Sequence, residues 1–261
     1  MQSIWSGFCV AFSLYSAVPV PQVPWEKKTM RWALSFLPLV GVLVGGLELL
    51  WFRICTHFGA DTMFYALFAA LLPTAVSGGI HLDGLADTCD ALCSYGDREK
   101  RLEILKDPHI GAFGVIWLAS FLLAEAACFA QVYRKPALLP VAAAGFVFSR
   151  ILGGRKIVTQ PCAKDSGLAY LFAEGSDKKT VAAALLVEGI ACAAGLLLWS
   201  VRRGLWAAPL LYLAALLLWS LFHKRLCGRG FGGVTGDLVG FFISVSELAA
   251  LAFAAVGGLI I

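Results

Sequence analysis

Charged side chains are scarce in this sequence. Asp, Glu, Lys and Arg together make up 15% of the 261 residues, whereas about 25% is usual in a soluble globular protein. Hydrophobic residues reach 59%, above the usual range of about 45–50%. This composition excludes an ordinary soluble domain and is typical of an integral membrane protein.

Several motifs are also absent. The eight cysteines form no C-x-x-C pair and have no ligand-like spacing to the four histidines, so neither a zinc site nor a disulfide framework is indicated. The basic residues form no stripe interleaved with aromatic residues, so we expect no nucleic-acid partner. The first 18 residues contain neither a basic n-region nor an A-x-A site, so a cleaved signal peptide is not indicated.

Long apolar runs are present, and they predict seven transmembrane helices. A spanning helix needs about 20 residues, so the fourth run is expected to continue past Arg150 to about Gly154. As a helix, residues 1–18 would have Trp5 and Phe8 on one face, which predicts an additional interfacial helix; an eighth transmembrane span is the alternative.

The expected fold is a single all-α transmembrane catalytic domain over residues 1–261. The seven runs cover residues 33–52, 62–80, 112–133, 136–149, 180–201, 204–222 and 238–261.

The basic residues divide unequally between the two sides of such a protein. Sixteen of the 21 Lys and Arg residues fall in segments that share a side with the N-terminus, and five fall on the other side. By the positive-inside rule, the N-terminus is cytoplasmic. We expect a multi-pass protein of the bacterial inner membrane, with its polar motifs on the cytoplasmic face and its apolar helices in contact with membrane lipid.

An acidic motif follows the second run. Asp83, Asp87 and Asp90 have the spacing i, i+4, i+7 and would form one stripe on a helix. Like charges at i, i+4 are unfavourable, so a cation should compensate them. Carboxylate ligands favour Mg²⁺, and Mn²⁺ can substitute for it. The alternative is a solvated acidic helix end. His81 could act as a base, orient Asp83 or donate to a phosphate.

A glycine-rich segment, residues 228–237, precedes the last run. Backbone N–H groups at a helix N-terminus favour a phosphate, and Asp237 would add a metal ligand. The alternative is an ordinary turn. The residues predicted to cradle phosphate are Gly232, Gly233, Thr235 and Gly236.

Four basic residues and one glutamate are further candidates. Arg98, Arg101, Lys106 and Arg150 could neutralise a diphosphate, although the positive-inside bias also accounts for basic residues at these positions. Glu247 is an intramembrane carboxylate, a residue type that is costly enough to suggest a function. It lies roughly 15 Å beyond Asp237 along a helix, so it would reach the same ion only if that helix were broken.

These motifs, in this order, resemble those of the cobalamin synthase family, the adenosylcobinamide-GDP ribazoletransferases. The resemblance extends over most of the chain. Ser244 stands where the family pattern has a glutamate, and His109 where it has an arginine. The matching segments are residues 12–21, 38–41, 81–90, 101–107 with Gly111, 149–150 and 233–237, together with Glu247.

The resemblance implies an enzyme that joins adenosylcobinamide-GDP to α-ribazole, or to its 5′-phosphate, and releases GMP with Mg²⁺ present. The residues by themselves indicate a diphosphate-cleaving site at a membrane face, with Asp83, Asp87, Asp90 and Asp237 as metal ligands. The sequence does not indicate an oligomeric state.

Two other functions remain open. A CDP-alcohol phosphotransferase of lipid metabolism performs similar chemistry, but Asp87 occupies the position where the motif of that family has arginine. An ion-coupled transporter could also use carboxylates and glycine-rich breaks, although its site should lie near the bilayer midplane.

Overall fold

The computed structural model describes residues 2–261, so the predicted helix over residues 1–18 is compared without Met1. Within these residues the fold is helical, and the only extended pairing is an isolated bridge between Cys162 and Val234. A 3₁₀ turn, Pro136–Leu138, leads into the eighth helix. The helices are α1 (Gln2–Tyr15), α2 (Lys27–Met30), α3 (Ala33–Phe58), α4 (Thr62–Ser77), α5 (Ile80–Cys93), α6 (Arg98–Ile104), α7 (Ala112–Arg134), α8 (Leu139–Thr159), α9 (Leu168–Gly175), α10 (Lys178–Val201), α11 (Ala207–Gly230) and α12 (Gly236–Ile260).

Six of these helices are each long and apolar enough to cross a membrane: α3, α7, α8, α10, α11 and α12. The pair α4 and α5 meets the same criterion only when counted together, as a broken span or a re-entrant loop, so the described helices give six spans, or seven if this pair counts as one. The predicted all-α membrane fold is confirmed, and every predicted span has a helix. Several helices continue beyond the apolar runs; α8, for example, continues to Thr159 and carries Arg150 and Lys156 into the interior of the bundle.

A sharp bend separates α4 from α5. Gly78 and Gly79 both have positive φ angles, 67° and 82°, a backbone conformation that glycine adopts without steric cost. The two helix axes differ in direction by 97°. The aspartates of α5 therefore lie on a helix that turns away from the direction of α4.

The centre of the bundle is formed by α3, α8, α12 and α5, which pack through small residues. An added Cβ at Gly45 of α3 would lie 2.6 Å from the carbonyl oxygen of Ala143 in α8. Such close approaches are typical of helix pairs within membranes, where apolar burial alone does not favour association.

The N-terminal helix α1 packs along this centre. Phe12 and Tyr15 are buried, whereas Ile4 and Trp5 are more than half exposed. The chain just after α1 is tied to α4 because the N–H of Ala17 donates to the carbonyl of Val76 at 2.7 Å. Its C-terminal end thus reaches the α4–α5 bend.

Candidate active site

The acidic motif of α5 lies directly against the start of α12. Gly84 contacts the backbone of Asp237, and Gly240 faces the backbone of His81 one turn further along. The hydroxyl of Ser244 donates to the carbonyl oxygen of His81 at 3.2 Å. Thus, the serine at the position that departs from the family pattern joins the two helices.

Three acids are brought together by this contact. Asp83 and Asp237 line one cavity, and Asp87 lies within electrostatic range of both. Asp83 is exposed, and the other two are partly buried. The Thr235 hydroxyl orients the Asp237 carboxylate at 3.3 Å and accepts the N–H of Leu238 at 3.2 Å, which caps α12. Acids 154 positions apart in the sequence, at 83 and 237, therefore face the same space.

These acids do not form a complete metal cage. Across residues 2–261, no three His, Cys, Asp or Glu side chains stand in an arrangement that could hold a metal ion by themselves. Mg²⁺ usually takes only one or two carboxylates and completes its octahedron with water and substrate phosphates. Two oxygen donors on one open cavity therefore fit Mg²⁺ better than a metal that needs an all-protein cage.

Asp90 has a different partner from the other acids of its motif. Its carboxylate accepts the N–H of Gly111 at 2.7 Å and that of Gly114 at 2.9 Å. It thus caps the N-terminus of α7, where a negative charge is favoured. The sequence prediction grouped Asp90 with the metal ligands; in the structure it holds α7 to α5.

An outer cavity of about 310 Å³ opens beside Asp237. Lys106 and Lys164 line it, together with Thr235, Gly236 and the N-terminus of α12. Burial lowers the pKa of Lys164; Lys106 lowers it further, and Asp237 opposes the decrease. An anion bound in this cavity would favour the charged form of Lys164.

A short backbone pairing holds Lys164 in place. The N–H of Val234 donates to Pro161, and the N–H of Ala163 donates to Val234, both at 2.9 Å. A Cβ at Gly233 would lie 2.6 Å from the Cys162 backbone. The loop after α8 is therefore fixed to the segment that leads into α12.

The glycine-rich segment has two roles along its length. Gly232, which has a φ of 79°, lies under the guanidinium of Arg98, and a Cβ at Gly230 would lie 3.2 Å from Nη1 of Arg101. Gly232 and Gly233 are thus packed against protein groups, whereas Thr235 and Gly236 line the outer cavity. Of the four predicted phosphate-cradling residues, only these last two face a space that a phosphate could occupy.

An inner cavity of about 120 Å³ adjoins the outer one at Gly236 and Asp237. His81, Asp83 and Tyr15 line it. The imidazole of His81 is buried, and its Nε2 has no hydrogen-bond partner among the described residues. His81 is therefore placed beside the acids, with one ring nitrogen buried and unpartnered.

The model of the cobalamin-5-phosphate synthase family matches residues 7–255 of this chain. The chain belongs to this family. A relative from Lachnoclostridium phytofermentans, named adenosylcobinamide-GDP ribazoletransferase, is 36% identical over all of this chain and 96% of its own length. Relatives with the same name from a Geobacillus strain and from Clostridium botulinum are 29% and 27% identical, over 95% and 96% of this chain and 94% and 97% of their own lengths. No solved structure matches the chain.

Membership of the cobalamin synthase family makes the chain a transferase, and its apolar helices make it a multi-pass membrane protein. Two residues that the sequence analysis did not select line its cavities, Lys164 and Tyr15. Lys164 stands in a loop without a motif, and only the pairing with Val234 reveals its position. Tyr15 lies in a segment that carries the family resemblance but had no assigned role.

Arg150 of this cobalamin synthase family member does not reach the outer cavity. Its side chain is fully buried in α8 and donates to the Glu247 carboxylate and, at 2.9 Å, to the carbonyl of Phe146. Ser149 also donates to Glu247, at 3.1 Å. Since α12 continues unbroken from Gly236 to Ile260, Glu247 stays with Arg150 inside the bundle rather than joining the acids near Asp237.

Proposed function

We propose that this chain joins adenosylcobinamide-GDP to α-ribazole, or to α-ribazole 5′-phosphate, and releases GMP. The observation that carries the proposal is the meeting of Asp83, Asp87 and Asp237 between a lysine-lined cavity and a smaller inner one. The names of the full-length relatives supply the identity of the substrates.

The reaction replaces one phosphorus–oxygen bond with another. A ribazole hydroxyl attacks the phosphorus attached to the corrinoid side chain, the bond to the bridging oxygen breaks, and GMP leaves with that oxygen. Such transfers need positioning and charge neutralisation more than covalent help from the protein. Lys106, Lys164 and the N–H groups at the start of α12 are suited to hold the diphosphate.

The hydroxyl proton needs an acceptor close to the reacting atoms. His81 lines the same cavity as Asp83 and has an unpartnered Nε2. We assign the proton to His81 or to the least committed of the aspartates.

Asp83 and Asp237 would hold Mg²⁺, with Mn²⁺ as a substitute, and Asp87 would add its negative charge nearby. When bound, the ion would neutralise the charge of the diphosphate and of the departing GMP. We leave Asp90 out of this ligand set because both of its oxygens accept backbone N–H groups of α7.

We place the site on the cytoplasmic face of the bacterial inner membrane, with the N-terminus cytoplasmic. The support is the distribution of Lys and Arg, sixteen of which fall on the side that carries the acids. Labelling of single introduced cysteines in a variant without the eight native ones would test this orientation. Labelling of position 97 from the periplasm would overturn it.

The activity is tested directly with purified protein in detergent. We expect GMP to appear from adenosylcobinamide-GDP only when α-ribazole and Mg²⁺ are both present. Parallel reactions with a CDP-alcohol donor should release no CMP. Turnover without α-ribazole, or CMP release at a comparable rate, would contradict the proposal, as would corrinoid-independent ion flux in proteoliposomes.

A further inference from the structure

We propose that the inner cavity binds the heteroaromatic base of the acceptor nucleoside. The inference rests on the proposed function and assigns one substrate to one part of the site. It follows from the different chemical character of the two adjoining cavities.

Most of the side chains that line the inner cavity are apolar. Leu37, Ile157, Val239 and Ile243 contribute aliphatic side chains from three central helices, and Tyr15 adds an aromatic ring from α1. All five side chains are buried. Aliphatic walls with an aromatic ring favour a flat apolar group over a phosphate or a sugar.

The two cavities differ in charge. The outer cavity has two lysines and a helix N-terminus, which suit phosphates. The inner cavity has no lysine or arginine among its lining residues. A donor that carries a diphosphate therefore belongs in the outer cavity, and the inner one is left for the partner that attacks it.

The size of the inner cavity limits the ligand. Its volume of about 120 Å³ is close to the roughly 150 Å³ of an apolar cavity that accommodates benzene. A corrin ring is much too large to enter. A benzimidazole-type base, such as that of ribazole, can insert one ring while its ribose remains at the mouth.

The polar groups favour the ribazole base over guanine. His81 lines this cavity and its buried Nε2 has no partner among the described residues; a benzimidazole linked to ribose has one free ring nitrogen, which accepts an N–H from this Nε2. With the base bound in this way, the hydroxyl proton passes to the least committed aspartate and not to His81. The other polar side chains of the lining are Tyr15 and the two acids, Asp83 and Asp237, and the acids are assigned to the metal. Guanine would therefore leave several of its donors and acceptors unsatisfied, at a large cost. Tyr15 packs beside His81, with ring centroids 6.2 Å apart, and so helps to fix the orientation of the imidazole.

The geometry of the junction agrees with this placement. Asp83 and Asp237 both line the inner cavity, and Asp237 also lines the outer one. A ribose held at the mouth by its base would present its hydroxyls beside these acids. The attacking oxygen and the diphosphate would then meet where the acids are.

The test changes the volume of the inner cavity by substituting Val239, one of the residues that line it. We expect Val239→Ile to raise the KM for α-ribazole about tenfold, in line with the effect of one methylene in an apolar pocket, while the KM for adenosylcobinamide-GDP changes less than twofold. Val239→Ala should reduce the preference for ribazole over nucleosides with bulkier bases by a similar factor. Val44→Ile and Val44→Ala are the matched controls, because Val44 is equally buried in α3 but does not line either cavity.

The outcomes separate this inference from the proposed function. Equal changes in both KM values, or a change for the donor alone, would overturn the assignment of the base while leaving the function intact. If wild-type protein releases no GMP, the proposed function fails. Calorimetric titration with α-ribazole alone then decides the inference: weaker binding to Val239→Ile than to wild type supports it, and equal binding overturns it. If Val239→Ile does not fold, Val239→Ala decides by the same measurements.

Discussion

Gly84 lies so close to Asp237 that no larger residue fits between their helices. A Cβ built on Gly84 would stand 2.7 Å from the carbonyl oxygen of Asp237 and 2.9 Å from its Cα. Real Cβ atoms do not approach backbone atoms this closely. This contact sets the separation of α5 from α12, and with it the position of Asp83 and Asp87 relative to Asp237.

We therefore expect Gly84→Ala to move α5 away from α12 and to reduce turnover at least tenfold, since small displacements of positioned groups are costly for catalysis. GMP release by purified protein measures the effect. Gly195→Ala is the matched control, because a Cβ at Gly195 of α10 meets no atom within 4 Å; it should retain activity and gain up to about 1 kcal/mol in helix stability. Full activity of Gly84→Ala would show that the spacing is not needed.

Neutral amides at the acidic positions should preserve the fold and impair the reaction. We expect Asp83→Asn and Asp237→Asn each to lower kcat about 100-fold or more, the size of effect seen when one group that stabilises a transition state is removed. Asp61→Asn, at the exposed N-cap of α4, should leave kcat unchanged because asparagine also caps helices. Near-wild-type turnover of both site variants with Mg²⁺ would remove the metal proposal.

Lys164 should act mainly on binding of the diphosphate donor. Hydrogen bonds to charged groups contribute about 1.5–3 kcal/mol, so Lys164→Ala should raise the KM for adenosylcobinamide-GDP roughly tenfold or more, and Lys164→Arg should restore much of the loss. Lys179→Ala, at an exposed position on α10, is the control. A larger effect on the KM for α-ribazole would place Lys164 beside the other substrate.

Asp90 should affect stability in a manner typical of a helix cap. Because its carboxylate accepts the N–H groups of Gly111 and Gly114, Asp90→Ala should cost about 1–2 kcal/mol, and Asp90→Asn should cost less. Thermal unfolding in detergent measures the difference. If both variants unfold like wild type and lose activity equally, Asp90 acts in the reaction and not as a cap.

The Arg150–Glu247 pair should show strong coupling. Removing one partner leaves a buried charge unpaired, so Arg150→Met or Glu247→Met alone should destabilise the protein by about 3–5 kcal/mol, whereas the double variant should recover much of that loss. Unfolding of the four proteins in one detergent completes the cycle. Additive losses would mean that the two side chains act independently.

The sequence predicted much of this arrangement for identifiable reasons. The apolar runs predicted the spanning helices because a helix that crosses a bilayer must be long and carry few charges. The regular spacing of Asp83 and Asp87 correctly predicted a helical stripe. The meeting of α5 with Asp237 was expected from their shared side of the membrane. The prediction therefore concerned which side of the membrane the two segments share, and it did not include how close they come.

Other features depend on contacts that no pattern in the chain encodes. Arg150 was assigned to phosphate because it stood near a predicted span end, but α8 continues to Thr159 and takes it into the interior. Asp90 has the same spacing as its neighbours, and only the approach of α7 gives it another role. Lys164 enters the site through backbone bonds between two loops, which are independent of side-chain identity.

The two left-handed glycines at 78 and 79 have a consequence for the energetics of the whole site. Alanine at both positions would favour one straight helix running on from α4, and Asp83 and Asp87 would then point away from Asp237. The arrangement of the three acids thus depends on a backbone conformation that costs glycine little and other residues about 1–2 kcal/mol each. The direction in which α5 leaves the end of α4 decides whether Asp83 and Asp87 meet Asp237.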